Sequence, residues 1–265
     1  MVYISGVIFA VLCVVAAMIH LEQKPEMLWD FVAFAVVLGG TFAVAIITLP
    51  WRELSVIRRL MWKFLVPAGQ RRRHYIKDSM RFVQSLRMGA QGPMTFGTDL
   101  PGQVLRDGAE LIQLGLAKGT IEEILAERIY QTTQRGKHMA NRIRSLAKYP
   151  PAFGLAGTVL GLIHLMVGIS KGMNPQETGV LMAIALMATF YGLMTANLFV
   201  NPMGERLLEV VEQDEKLAEI GLRAVLLAAE GSRLLEAQEI LNSYVEVGER
   251  VDSMNDFDDF VEGAA

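Results

Sequence analysis

Two threonines and one absence carry most of the chemistry this sequence offers. Within the apolar stretch Tyr149–Gly204, Thr158 lies near one helical face with Gly154 and Gly161. Thr189 shares a face with Ala185, Gly192 and Ala196 at i, i+4 and i+7 spacing. A hydroxyl in a membrane helix either bonds the carbonyl four residues back or lines a path for a permeant ion. Ion-translocating proteins generally need an ionisable relay inside the bilayer. The central parts of the apolar spans here hold no Asp, Glu, Lys or Arg. If the chain moves ions, a partner is expected to bring the carboxylate. Thr195 lies near the second face. His164, in the same stretch, is either a neutral histidine satisfied by its neighbours or a group titrating near neutrality. Asp30 sits between Trp29 and Phe31 at the outer edge of another span, as an interfacial charge or as a group at an ion entrance.

No other constellation competes with these. The sequence has no Gly-rich phosphate loop, no Cys/His metal spacing and no Ser/His/Asp arrangement. Ser55, Ser79, Ser85 and Ser145 lack the strand–turn–helix context of a nucleophile elbow. No enzyme, cofactor or metal site is expected.

The elements that must position the hydroxyls are membrane helices. Hydrophobic residues make up 52% of the 265 residues, above the soluble norm, and the mean hydropathy is +0.33. Tyr149–Gly204 holds two uncharged runs joined by Lys171–Glu177, each longer than the roughly 18–20 residues that cross hydrocarbon as a helix. Gly157 and Gly161 are in GxxxG spacing, and small faces let helices approach closely in lipid. Val2–Ile19 and Phe31–Leu49 are two further spans, the first containing the single Cys13. No Lys or Arg precedes the first span, so it reads as a retained helix rather than a signal peptide. The fold expected is an all-α integral membrane protein, with four transmembrane helices and a helical cytoplasmic domain.

Charge sets the orientation. Residues 51–148 carry 18 Lys/Arg against 8 Asp/Glu, with Arg52, Arg58, Arg59, Lys63, Arg142, Arg144 and Lys148 near membrane ends. The positive-inside rule puts this segment, and with it both termini, in the cytoplasm. The organisation expected is a first hairpin at 1–50, a helical insertion at 51–148, a second hairpin lining the ion path at 149–204 and a helical tail at 205–265. Residues 203–265 have 16 acidic and 5 basic residues. Either the basic insertion and acidic tail pack on one another, or the basic residues face an acidic partner or lipid headgroups near Arg58, Arg59, Lys63 and Arg71–Arg73. A net charge of −3 argues against nucleic acid.

Helical periodicity covers Gln103–Gly115, Thr120–Lys148, Glu205–Leu227 and Gly231–Tyr244, with Thr120 as the expected N-cap of the second. Leu207, Val211, Ala218, Leu222 and Val225 form one stripe. The acidic run Asp252–Asp259 is expected to be mobile.

The residues also carry a resemblance. Pro151–Leu162, Ala183–Gly192 and Asn201-Pro202 resemble the paired membrane helices of the MotA/TolQ/ExbB channel family. Four spans, the large insertion and Asp30 followed by Gly39-Gly40-Thr41 are similar to the MotA/PomA branch of flagellar stator subunits. The resemblance implies a ring of five copies in the bacterial inner membrane around a MotB/PomB-like partner. The partner's single membrane helix would carry the ion-binding aspartate, and the complex would drive the rotor protein FliG. It implies that Pro151 and Pro202 couple ion passage to movement. Thr158 and Thr189 match hydroxyl positions of the sodium-driven type, which tilts the translocated ion from H+ toward Na+. Family members place a Glu eight residues after a rotor-contacting Arg; Arg87 matches that Arg, but Thr95 occupies the second position. Asp99, Arg106 and Glu110 are the alternatives. The other readings are a TolQ/ExbB-like energiser of an envelope partner and a non-conducting membrane scaffold.

Overall fold

The computed structural model describes residues 2–20, 30–49, 68–87 and 96–251. Among them every regular element is helical. They are α1 (Val2–His20), α2 (Phe31–Thr48), α3 (Ala68–Arg87), α4 (Leu100–Gln113), α5 (Lys118–Ser145), α6 (Tyr149–Ser170), α7 (Pro175–Met194), α8 (Asn201–Ala229) and α9 (Leu234–Asn242). Trp29, Arg58, Arg59, Lys63, Thr95 and the run Asp252–Asp259 lie outside the described residues.

Among the described residues, three helical stretches are long and apolar enough to cross a membrane: Phe31–Thr48, Lys118–Ser170 and Pro175–Ala229. Helix α1 has 19 residues and contains a shorter apolar stretch, Ile8–Ala17. The chain divides into two compact units, one within 1–61 and 139–207, the other within 62–138 and 208–265.

In the first unit, α2, α6 and α7 pack together. The entry of the chain into α6 follows from Pro150-Pro151. Two prolines remove two backbone donors and crowd the carbonyls behind them. The chain tightens into a 3-10 turn at Leu146–Lys148, where the Tyr149 N–H donates to the Leu146 carbonyl three residues back. Helix α6 closes with Gly172 at φ +85°, whose N–H donates to Ile169 O (3.0 Å) while Met173 N–H reaches Gly168 O (3.2 Å). Asn174 then caps α7, accepting from Glu177 N–H at 2.8 Å. The other end of α7 widens. Thr195–Val200 is π-helical, with the Asn201 N–H bonded to the Ala196 carbonyl five residues back. Proline at 202 crowds the carbonyl four residues before it, and a wider turn relieves that contact.

The second unit is built on a core that includes Ile76, Phe82, Leu105, Leu125, Val225 and Leu241. Val211, Ala218 and Val225 of the predicted stripe are buried and Leu222 is partly so; Leu207, buried as well, falls in the first unit. A Cβ added to Gly108 would strike the Val225 side chain, and one added to Gly136 would lie 2.9 Å from Val211. Asn242 grips the backbone of Val251 on both sides, accepting its N–H and donating to its carbonyl, both at 3.0 Å. The packing of basic insertion on acidic tail is visible here: Arg71 meets Asp214 at 3.2 Å and Lys137 meets Glu215 at 2.7 Å. One expectation is corrected. Thr120 is not an N-cap, because α5 begins at Lys118 and the Ala117 carbonyl already accepts from Ile121 N–H at 3.0 Å.

Burial pushes the Asp78 carboxyl above its ordinary range, the pull of His74 and Arg81 failing to offset it, and the charge of Asp99 adds to the rise. A carboxyl raised on folding contributes stability while protonated and loses it as pH rises through the folded pKa. Asp78→Asn is therefore expected to raise the thermal midpoint of the full chain at about pH 7. The gain should shrink as the pH falls from there into the acid range and the wild-type carboxyl takes up its proton. Unfolding curves across that range check this.

Candidate functional site

The two threonines meet where α6 crosses α7. The seam is possible because both helices present almost no side chain there. A Cβ on Gly154 would sit 2.7 Å from the Ala188 carbonyl oxygen, and one on Gly161 would sit 2.6 Å from the Ala185 Cβ. A Cβ on Gly192 would lie 2.5 Å from the Pro150 carbonyl oxygen and 3.0 Å from the Pro151 Cα. With the backbones this close, Thr158 Oγ1 and Thr189 Oγ1 come to 2.5 Å. Thr158 Oγ1 also lies 3.1 Å from Gly154 O on its own helix and 3.0 Å from Ala185 O on the other. Thr189 Oγ1 reaches Gly154 O at 3.5 Å.

Two hydroxyl protons serve this group of four oxygens. One hydroxyl donates to the other, whose own proton goes to a carbonyl. The group is richer in acceptors than in donors, which suits a monovalent cation or a proton passing beside it and suits no anion. Thr158 bonds the carbonyl four residues back and also crosses to the second helix.

The remaining candidates occupy other places. Pro151 lies in the first turn of α6, where a missing N–H costs nothing. Pro202 is the second residue after the π-helical segment. Thr195 opens that segment and stays outside the hydroxyl group. His164 is exposed on α6. It lies six residues, about 240° of helical rotation, from Thr158. Asp30 is the N-cap of α2, its Oδ1 accepting from Val32 N–H at 2.9 Å.

In the second unit, Asp99 caps α4 through Gly102 N–H at 3.3 Å. Arg106 donates to the carbonyls of Phe96 and Gly97, at 3.4 and 3.2 Å. Arg87, the last residue of α3, and Glu110 are exposed, with no ion-pair partner among the described residues. Asp99 and Arg106 thus have local structural tasks that Arg87 and Glu110 lack.

Sequence reasoning missed Tyr191, which joins α7 to α2, and the π-helical segment. Proline at 202 was the only signal for the segment.

Residues 98–220 match the MotA/TolQ/ExbB proton channel family. Within that family the similarity runs to the motility proteins. The chain is 26% identical over 243 residues to Motility protein A of Cereibacter sphaeroides, covering 89% of this chain and 92% of that one. It is 25% identical over 221 residues to the uncharacterized protein YtxD of Bacillus subtilis, covering 81% and 79% of the two. Its fold is that of the C. jejuni MotAB structure, with a TM-score of 0.75 at 17% identity, covering 94% of this chain and 98% of that chain.

The seam generates a direct test. Gly154→Ala forces backbone against backbone, and overpacking of this kind costs about 1–3 kcal/mol. The variant is expected to unfold at lower temperature in detergent, whereas Gly179→Ala, with nothing within 4 Å of its Cβ, should not.

Proposed function

We propose that the chain is a flagellar motor stator subunit. With a MotB-like single-span partner it conducts ions across the bacterial inner membrane and turns the flow into torque on the rotor. The observation that carries this reading is the acceptor-rich pair Thr158–Thr189 at the α6–α7 crossing of a MotA-like fold. The chain's spans lack a carboxylate at that depth, and the partner's membrane aspartate completes the path.

In this reading the chain spans the membrane four times with both termini in the cytoplasm. Five copies surround the partner, in contact with membrane lipid. Hairpins 1–50 and 149–204 lie in the membrane, and 51–148 and 205–265 form the cytoplasmic part. Pro151 and Pro202 act at the two places where the regular ladder is interrupted, so a small change in the path alters the direction of the helices that follow. Arg87 and Glu110, exposed and without an ion-pair partner among the described residues, engage FliG. Asp30 receives the ion at the outer side, and sodium is favoured over the proton.

The test is rotation in cells that rely on this chain and its partner, with sodium varied at constant ionic strength and a protonophore added separately. Speed that follows sodium and persists with the protonophore is the expected result. Collapse with the protonophore and indifference to sodium would assign the proton instead. Thr158→Ala is expected to change the ion dependence or stop rotation while the partner still copurifies; unchanged rotation with either ion would remove Thr158 from the path.

A further inference from the structure

We propose that Tyr191 is a positioning residue for Asp30. The phenol fixes the start of α2 so that one carboxylate oxygen of Asp30 stays bound to the helix and the other remains a buried acceptor for a monovalent cation. The inference rests on the ion-path reading above and adds to it a residue that sets how well the ion is received.

The geometry is specific. The Asp30 backbone N–H donates to the phenol oxygen of Tyr191 at 3.0 Å, across 161 residues of chain. This N–H precedes the first helical turn and has no partner within α2, as is general at helix starts. The phenol supplies one. Oδ1 of Asp30 is occupied by Val32 N–H. Oδ2 is buried and has no hydrogen-bond partner among the described residues. The Tyr191 ring is itself held, since Phe34 meets it edge-on with centroids 6.1 Å apart.

A buried carboxylate oxygen left without a donor is costly, and such groups call for an explanation. Asp30 stands at the edge of the apolar span Phe31–Thr48, where a cation entering from water would first meet it. A donor on Oδ2 would occupy lone pairs that a cation needs. By accepting from the Asp30 backbone N–H, Tyr191 orients Asp30 while Oδ2 stays without a donor among the described residues. Two residues separate Thr189 from Tyr191, about 200° around α7. One helix thus carries the Thr189 hydroxyl toward α6 and the phenol toward α2.

The experiment measures rotation speed against the concentration of the driving ion in cells relying on this chain and its partner, with partner copurification as the control for assembly. Tyr191→Phe keeps the ring and removes the acceptor. It is expected to raise the half-saturating ion concentration about two- to tenfold, the range a single neutral hydrogen bond supports, with maximal speed and copurification retained. Asp30→Asn should shift it in the same direction, and the double variant should add nothing to Asp30→Asn. If Asp30→Asn moves the half-saturating concentration and Tyr191→Phe does not, Tyr191 is only a packing residue and the entrance reading of Asp30 survives. If Asp30→Asn moves nothing, that entrance reading falls and takes this proposal with it. If Tyr191→Phe loses the partner, 3,5-difluorotyrosine at position 191 decides, because it weakens the phenol oxygen as an acceptor while keeping the packing: the same shift supports the proposal and an unchanged concentration overturns it.

Discussion

The close approach of α6 and α7 is the contact on which the rest depends. In hydrocarbon the hydrophobic effect gives helices little reason to associate, so packing and interhelical hydrogen bonds decide the geometry. Here Gly154 and Gly161 face Ala185, Ala188 and Thr189 with no room for a further methyl group. The distance between backbones then sets the distance between hydroxyls. Two threonines that would otherwise close only on their own helices become one shared group, and a third helix, α2, is brought against the same pair through Gly40 and Phe153, which meet face to face.

The membrane unit also shows how proline can shape a helix without ending it. Pro150-Pro151 and Pro202 do not break their chains into loops. The backbone tightens before the first pair and widens before the second, and helical character is kept through Lys118–Ser170 and Pro175–Ala229. Gly192 and Gly204, which carry no side chain, lie beside these places. Gly192 admits the Pro150 carbonyl, and Gly204 admits the Arg144 backbone, to which an added Cβ would come within 2.7 Å. The two interruptions are therefore packed features, each with a neighbour fitted to it.

Much of this was legible in the sequence. Uncharged length marked the membrane helices, the spacing of Gly and Ala marked the faces that meet, and those faces located Thr158 and Thr189 together. The stripe from Val211 to Val225 marked the core side of α8. Other features were not legible, for physical reasons. A cap is decided by which carbonyl already has a donor, so Ala117 displaced Thr120. Tyr191 reaches Asp30 across 161 residues, and no local pattern encodes a contact between one phenol and one N–H so far along the chain. Engaged and unengaged charges look alike in sequence: Asp99 and Arg106 are tied to nearby backbone, while Arg87 and Glu110 have no such tie among the described residues.

The 3-10 turn at Leu146–Lys148 has a consequence for angular phase. Each residue of an α-helix advances about 100° and each residue of a 3-10 turn about 120°. Three such residues turn α6 about 60° further than an unbroken α-helix would. The π-helical segment at Thr195–Val200 winds more slowly, so it shifts phase in the opposite sense. The 3-10 turn thus sets the phase with which the backbone enters α6, and the π-helical segment the phase with which it leaves α7.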